Sequence, residues 1–385
     1  MKVVHFCRTF SKLSETFIYD VIRELDSRDI TNKVVTFRRE NSPDRPFDAV
    51  SILQPSLLQR SAKTLKKIGG SLGLRKYNAV KELDALRSHL LLQYLKSEKP
   101  DVLHAHFGLQ GLMAWPETRK LNIPLVVSFH GYDAFRLPQN SIWLVKLQRL
   151  FQEAAAITVV SNFMKEHLIT LGCPPEKLHL IHVGKRISDY NYSGTLNWPV
   201  RKFISIGRLC EKKGFLDGIS AFALLKENYP DLKLQIVGIG ELEGELKALI
   251  NQENLSNQIT MSGSLKHPEV IKALQGADAF ILCSKTGADG DQEGIPTVLM
   301  EAQAMGLPCV TTRHSGIPEV IPQESQFLLA QEGNVQDIAA KIEALINAPE
   351  NQLLQVKQAG RTIVESEFNL EIENNKLIAL YKSLQ

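Results

Sequence analysis

No run of about 18 consecutive apolar residues occurs in this 385-residue chain, so no transmembrane helix is expected. The opening MKVVHFCRTF is too short and too polar for the core of a secretory signal and reads as a first strand. Cysteine is scarce and odd in number: Cys7, Cys173, Cys210, Cys283 and Cys309 form no CxxC pair. This argues against a disulfide framework and a cysteine zinc site, and leaves cysteine as a small core residue in a reducing compartment. The expected location is therefore cytoplasmic. The first strand is followed by no GxGxxG, which discounts a nicotinamide enzyme. Low-complexity tracts and short repeats are also missing. A net charge of only +3 does not suggest a nucleic-acid binder.

That small charge hides an uneven distribution. Residues 60–99 carry ten Lys and Arg against three Asp and Glu. Two readings stand: a solvated helix face with a loop, or a stretch that touches anionic lipid at the inner face of a membrane. Elsewhere short apolar runs alternate with amphipathic segments. KVVHF, NKVVTF, DVLHAHF, PLVVSFHG, AAITVVS and KLHLIHVG read as strands before residue 190. Phe17, Val21, Ile22 and Leu25 have helical spacing, with Ser14 as the expected N-cap. The turn-rich NYSGTLNWP at 191–199 reads as a linker, after which KFISIGRL, LKLQIVGIG, QITMSGSL, AFILCS, PCVTT and SQFLLA repeat the pattern. Alternation in both halves predicts an α/β protein of two parallel-sheet domains.

Ligands of open parallel sheets bind at the carboxyl ends of strands. Arg208 and Lys213 in SIGRLCEKKGF stand on such a loop beside Gly207. An Arg fork and a compact Lys charge suit a diphosphate, although an exposed basic loop would look the same. Gly238 and Gly240 make a strand-to-helix turn, a weak signal alone. In DQEGIPTVLMEA, Glu293 precedes a helix expected to start near Pro296, whose free N–H groups suit phosphate or sugar oxygens. Glu301 lies eight positions on, about 80° past two full helical turns. The two carboxylates thus share a side at different depths and could read two groups of hydroxyls on one long ligand. His130 and Asp133 follow a strand in VVSFHGYDAF; such a histidine could contact a substrate oxygen or be structural. His104 and His106 share a strand face, without an evident third metal ligand, and favour packing. Asp289-Gly290-Asp291 has the form of a DxD metal motif, but Asp and Gly in a loop more often make a turn.

IGRLCEKKGF, VGIGELEGEL, MSGSLKHPEV and EGIPTVLMEAQAMGLPCV, in this order, resemble glycosyltransferase family 4. HFG, SFHGYD and VSNFMKEHL fit as well, so the resemblance spans nearly the whole chain. SKLSETF, KTGADGDQEGIP and TTRHSGIPEVI bring it near exopolysaccharide glycosyltransferases of the colanic acid and amylovoran type. The resemblance implies the GT-B fold, two Rossmann-like domains facing across a cleft. The acceptor-side domain would span residues 1–190, joined by a returning helix at about 366–385, and the donor domain residues 200–365. It also implies a retaining transferase that takes a nucleotide sugar, expected to be UDP-linked, as co-substrate. The acceptor would be a lipid-linked oligosaccharide or other glycan, with no further cofactor and no bound metal.

Carried over by position, Arg208 and Lys213 would neutralise the diphosphate, Glu293 would contact sugar hydroxyls and His130 would lie beside the transferred sugar. Glu301 would take the ribose hydroxyls, and Ser264 and Leu265 would flank the base. Gly294, Ile295, Pro296 and Thr297 would form the helix start at the sugar and phosphates, and Gly238 and Gly240 would let the nucleotide approach. This chain departs from the family in three places. FSKLSETF replaces a Gly-Gly loop, where Ser14, Glu15 and Thr16 would stand in by capping or by binding acceptor or phosphate, with Asp133 also on the acceptor side. Pro296 removes one N–H donor. Lys185 and Arg186 in HVGKRISDY replace an apolar-acidic pair. Two other readings are a UDP-sugar 2-epimerase on the same fold, which needs no acceptor, and a non-catalytic nucleotide-sugar-binding protein.

Overall fold

The computed structural model describes the chain apart from residues 13–14, 29, 55–71 and 193. Two parallel sheets form its frame. The first runs β3-β2-β1-β4-β5-β6-β7, from β1 (Lys2–Phe10), β2 (Thr31–Arg39), β3 (Val50–Ile52), β4 (Val102–His106), β5 (Leu125–Ser128), β6 (Ala156–Val159) and β7 (Leu178–Leu180). The second runs β10-β9-β8-β11-β12-β13, from β8 (Lys202–Ile206), β9 (Lys233–Val237), β10 (Ile259–Met261), β11 (Ala279–Leu282), β12 (Cys309–Thr312) and β13 (Leu329–Ala330). Each order reverses after its first strand, which leaves a crevice at the carboxyl ends of the central strands. Strands β4, β5, β6, β11 and β12 are buried on both faces, the mark of a sheet covered by helices. All five cysteines are buried and free.

The chain returns to its first sheet at the end. Helix Leu370–Ser383 lays Leu377, Leu380 and Tyr381 against Val3, Val102, Val126 and Ala156. Residues 325–328 of the expected strand SQFLLA belong to the 3₁₀ turn Gln323–Leu328, and only Leu329–Ala330 pairs in the sheet. A two-residue edge strand has too few ladder bonds to extend through a stretch already turned by Pro322. The first long helix starts at Thr16 with Glu15 at the N-cap and no side-chain cap bond, while Ser14 lies outside the described residues. Much of the basic stretch 60–99 also lies outside them. Its described remainder belongs to helix Leu72–Glu98, where Leu91 and Leu95 are fully buried and Arg87 rests over the Phe37 ring. No helix among the described residues is long and apolar enough to cross a membrane.

Candidate active site

The donor-side expectations converge at the carboxyl ends of β8 and β11. Glu293 is buried, and its Oε1 lies 3.1 Å from Lys213 Nζ, off the line of a hydrogen bond. Burial pushes this carboxyl up, but the Lys213 and Lys212 ammoniums outweigh it and hold it below the usual carboxylate range. Lys212 was not picked out in the sequence. It pairs with Asp291 at 3.0 Å and donates to Gln292 O at 3.1 Å. The Glu293 backbone is clamped as well: its N–H donates to His314 Nε2 at 3.2 Å, and its carbonyl accepts from Ser315 Oγ at 2.6 Å. His314 Nδ1 in turn lies 2.5 Å from Glu332 Oε2, which assigns the proton to Nδ1. Neither His314 nor Ser315 was foreseen, though both stand in the quoted TTRHSGIPEVI.

Arg208 is exposed and makes no side-chain hydrogen bond or ion pair among the described residues, so its guanidinium is available to a ligand. Gly294 and Ile295 are buried, and their N–H groups, at the start of helix Thr297–Ala304, donate to no acceptor among the described residues. Pro296 is the N-cap of that helix rather than its first residue. Ser264 is exposed and Leu265 half-buried on the loop after β10. Glu301 is buried on the same helix as Thr297, with Lys185 Nζ 2.5 Å from its Oε1.

Gly238 and Gly240 have a reason in the fold itself. A Cβ on Gly238 would lie 1.8 Å from Gly207 O, and one on Gly240 2.3 Å from Leu209 O. The space is taken by the loop after β8, so these glycines seat the Arg208 loop. Asp289-Gly290-Asp291 is a turn: Asp291 N donates to Asp289 Oδ1 at 3.0 Å. Its two carboxylates point to different cations, Asp289 to Arg136 at 3.1 Å across the cleft and Asp291 to Lys212.

The first sheet contributes His130, which stands against Phe17 and Phe107 at ring distances of 4.6 and 4.8 Å. Both its ring nitrogens are buried without a partner among the described residues. Burial pushes its value down to about 3, so the ring is neutral at working pH. Asp133 is turned inward rather than towards an acceptor: Oδ1 accepts from His130 N and Gly131 N, and Oδ2 from Gly108 N. Glu15 is held by Lys12 at 2.8 Å, and Thr16 opens the helix beside it. His104 and His106 do have a histidine neighbour, because β1 pairs with β4 and sets His5 opposite His104. One ligand atom from each of the three lies within 4.8 Å of the others. These rings are already tied to protein groups: His104 to Tyr381 Oη at 2.5 Å and Ser128 Oγ at 2.6 Å, His5 to His106 and Asn32.

Two Rossmann-like parallel sheets, with cations and a helix start gathered at their facing strand ends, define the GT-B class of α/β transferases. Comparison with known proteins gives the particular family. Residues 14–185 match the family model described as Glycosyltransferase Family 4, and residues 195–362 that described as Glycosyl transferases group 1. The amylovoran biosynthesis glycosyltransferase AmsK of Erwinia amylovora is 33% identical, with 100% of both chains covered. The Escherichia coli K12 protein named as a colanic acid biosynthesis glycosyltransferase, WcaL, is 31% identical over the same full coverage. Among solved structures, Anabaena HepE with UDP and glucose matches at a TM-score of 0.78, 18% identity and 100% coverage of both chains. The chain belongs to glycosyltransferase family 4.

Proposed function

We propose that the protein is a retaining glycosyltransferase that moves a hexosyl unit from a UDP-sugar to a lipid-linked oligosaccharide or other glycan in exopolysaccharide biosynthesis. The observation that carries this is the approach of Lys213 to Glu293 beside the N–H groups of Gly294 and Ile295, which meet no acceptor among the described residues, with Arg208 exposed on the same loop as Lys213. Fixed cations and dipoles aimed at a departing diphosphate supply the large electrostatic part of such a reaction. Neutral His130, whose ring nitrogens have no partner among the described residues, suits hydrogen bonding to a sugar better than proton transfer. Glu301 is the acceptor assigned to the ribose, and Ser264 and Leu265 flank the base. The names AmsK and WcaL support the exopolysaccharide setting. An E. coli relative, 27% identical over 80% of this chain, is named UDP-Gal:alpha-D-GlcNAc-diphosphoundecaprenol alpha-1,3-galactosyltransferase, which supports donor and acceptor class.

Retention through a covalent intermediate would require a free carboxylate at the anomeric carbon. Asp133 is committed to backbone N–H groups and Glu293 to Lys213. The reading is therefore a same-face exchange. The bond from anomeric carbon to phosphate oxygen breaks, the acceptor oxygen bonds to that carbon, and the acceptor proton leaves with the phosphate. The test incubates the protein with UDP-sugars, with and without lipid-linked oligosaccharide, and reads products by mass spectrometry and anomeric NMR. An α-linked product from an α-donor supports the proposal. A product of inverted configuration removes the retaining mechanism, and an altered sugar without acceptor favours the epimerase.

A further inference from the structure

Lys185 and Arg186, the residues that depart from the family, have no part in the transfer step above. Both reach other elements. Arg186 Nη2 lies 3.2 Å from Glu24 Oε2 on helix Thr16–Asp26. Lys185 Nζ lies 2.5 Å from Glu301 Oε1, the two side chains only 4% and 10% exposed. The Lys185 backbone sits where the last helix crosses back to the first sheet: its N–H donates to Phe368 O at 2.7 Å, and its carbonyl accepts from Leu370 N at 2.9 Å. A Cβ on Gly184 would come within 2.4 Å of Leu370 Cα, so the crossing is tight and the lysine is aimed from a fixed base.

Asp20, on helix Thr16–Asp26, is raised by burial and by the Glu301 charge, against the opposing pull of Lys185, Arg45 and His267. The Tyr190 phenol is pushed up by burial and then by the charges of Glu301 and Asp20. The buried ammonium of Lys185 is in contact with the Glu301 carboxylate.

We propose that Lys185 is a positioning residue for donor binding: it is the countercharge that holds the buried Glu301 where it accepts the ribose hydroxyls. This rests on the donor-site reading given above. Removing one partner of a buried ion pair leaves an uncompensated charge, here the Glu301 carboxylate.

The test is titration calorimetry of UDP into wild type, Lys185→Met, Lys185→Arg, Glu301→Gln and the double variant Lys185→Met with Glu301→Gln, each checked for folding by circular dichroism. Lys185→Met should bind UDP about tenfold or more weakly, since a buried charged partner is lost. Lys185→Arg should stay near wild type, and the double variant should bind no more weakly than Glu301→Gln, because the lysine acts through that carboxylate. With donor and acceptor, Lys185→Met should raise the donor KM more than it lowers kcat. Wild-type affinity in Lys185→Met, or a double variant about tenfold weaker than Glu301→Gln, overturns the proposal. Should Lys185→Met not fold, the double variant decides: the affinity of Glu301→Gln supports the proposal and a further loss of about tenfold refutes it. Failure of wild type itself to bind UDP is a separate result and strikes the donor-site reading.

Discussion

The two halves of the molecule meet the cleft with different chemistry. The second sheet presents paired charge: Lys213 with Glu293, Lys212 with Asp291, and Glu301 with Lys185 from the crossing. The first presents neutral rings, His130 between Phe17 and Phe107, backed by His106, His104 and His5. Charge held in place by countercharge suits a ligand that brings its own charge, as a diphosphate does. A neutral, unpaired imidazole suits a ligand made of hydroxyls. The contrast teaches that each half can be damaged by a different perturbation.

Acid should attack the ring side first, and this is the largest expected effect. Burial pushes His5 down to about 4, against a hydrogen bond to Asn32, and His130 to about 3, while His104 and His106 also fall well below 6.5. Between those values and 6.5 the unfolded chain binds more protons than the folded one, so stability falls as pH drops through that window. Glu293, held low, adds a loss of the same sign at lower pH. Urea midpoints should therefore decline steeply from pH 6.5 to pH 4, and a flat profile would mean that these histidines are not buried neutral.

The charged side should fail by chemistry instead. Lys213→Ala should cut kcat by about 10²–10³-fold, the scale for losing one fixed stabilising group. Assays at saturating donor check this; a change confined to donor KM would assign Lys213 to binding alone. Next in size is Tyr381→Phe, which leaves His104 Nδ1 buried without its 2.5 Å partner. A cost of about 1–3 kcal/mol in denaturant unfolding is expected. The smallest effect belongs to the exposed bridge between halves. Arg136→Ala breaks the contact with Asp289, whose side chains are 38% and 55% exposed. The change should stay within about 1 kcal/mol and shrink with added salt, as for surface pairs generally.

Legibility in the sequence followed the range of the interaction. The strands of the two sheets were readable because a covered parallel strand is an apolar run, and the places of Glu293, Glu301, Arg208 and Lys213 in the fold because a strand end or helix start sets them locally. Gly238 and Gly240 were found, but their close approach to the β8 loop was not. Gly238 leaves space for Gly207, thirty-one positions before it, and Gly240 for Leu209, both brought there by pairing of β8 with β9. His314 escaped notice because its role is a bond to a backbone N–H twenty-one residues away.

By itself, then, the sequence determined the two parallel sheets and which residues stand on the loops at their strand ends, both of which depend on neighbours within a turn or two of chain. Tertiary structure alone decided that His5 joins His104 and His106, through pairing of β1 with β4, and that Tyr381 closes their far side. It alone decided that Lys185 meets Glu301. Those partners are set by burial of whole helices and strands against one another, a driving force that has no direction along the chain and leaves no local spacing to read.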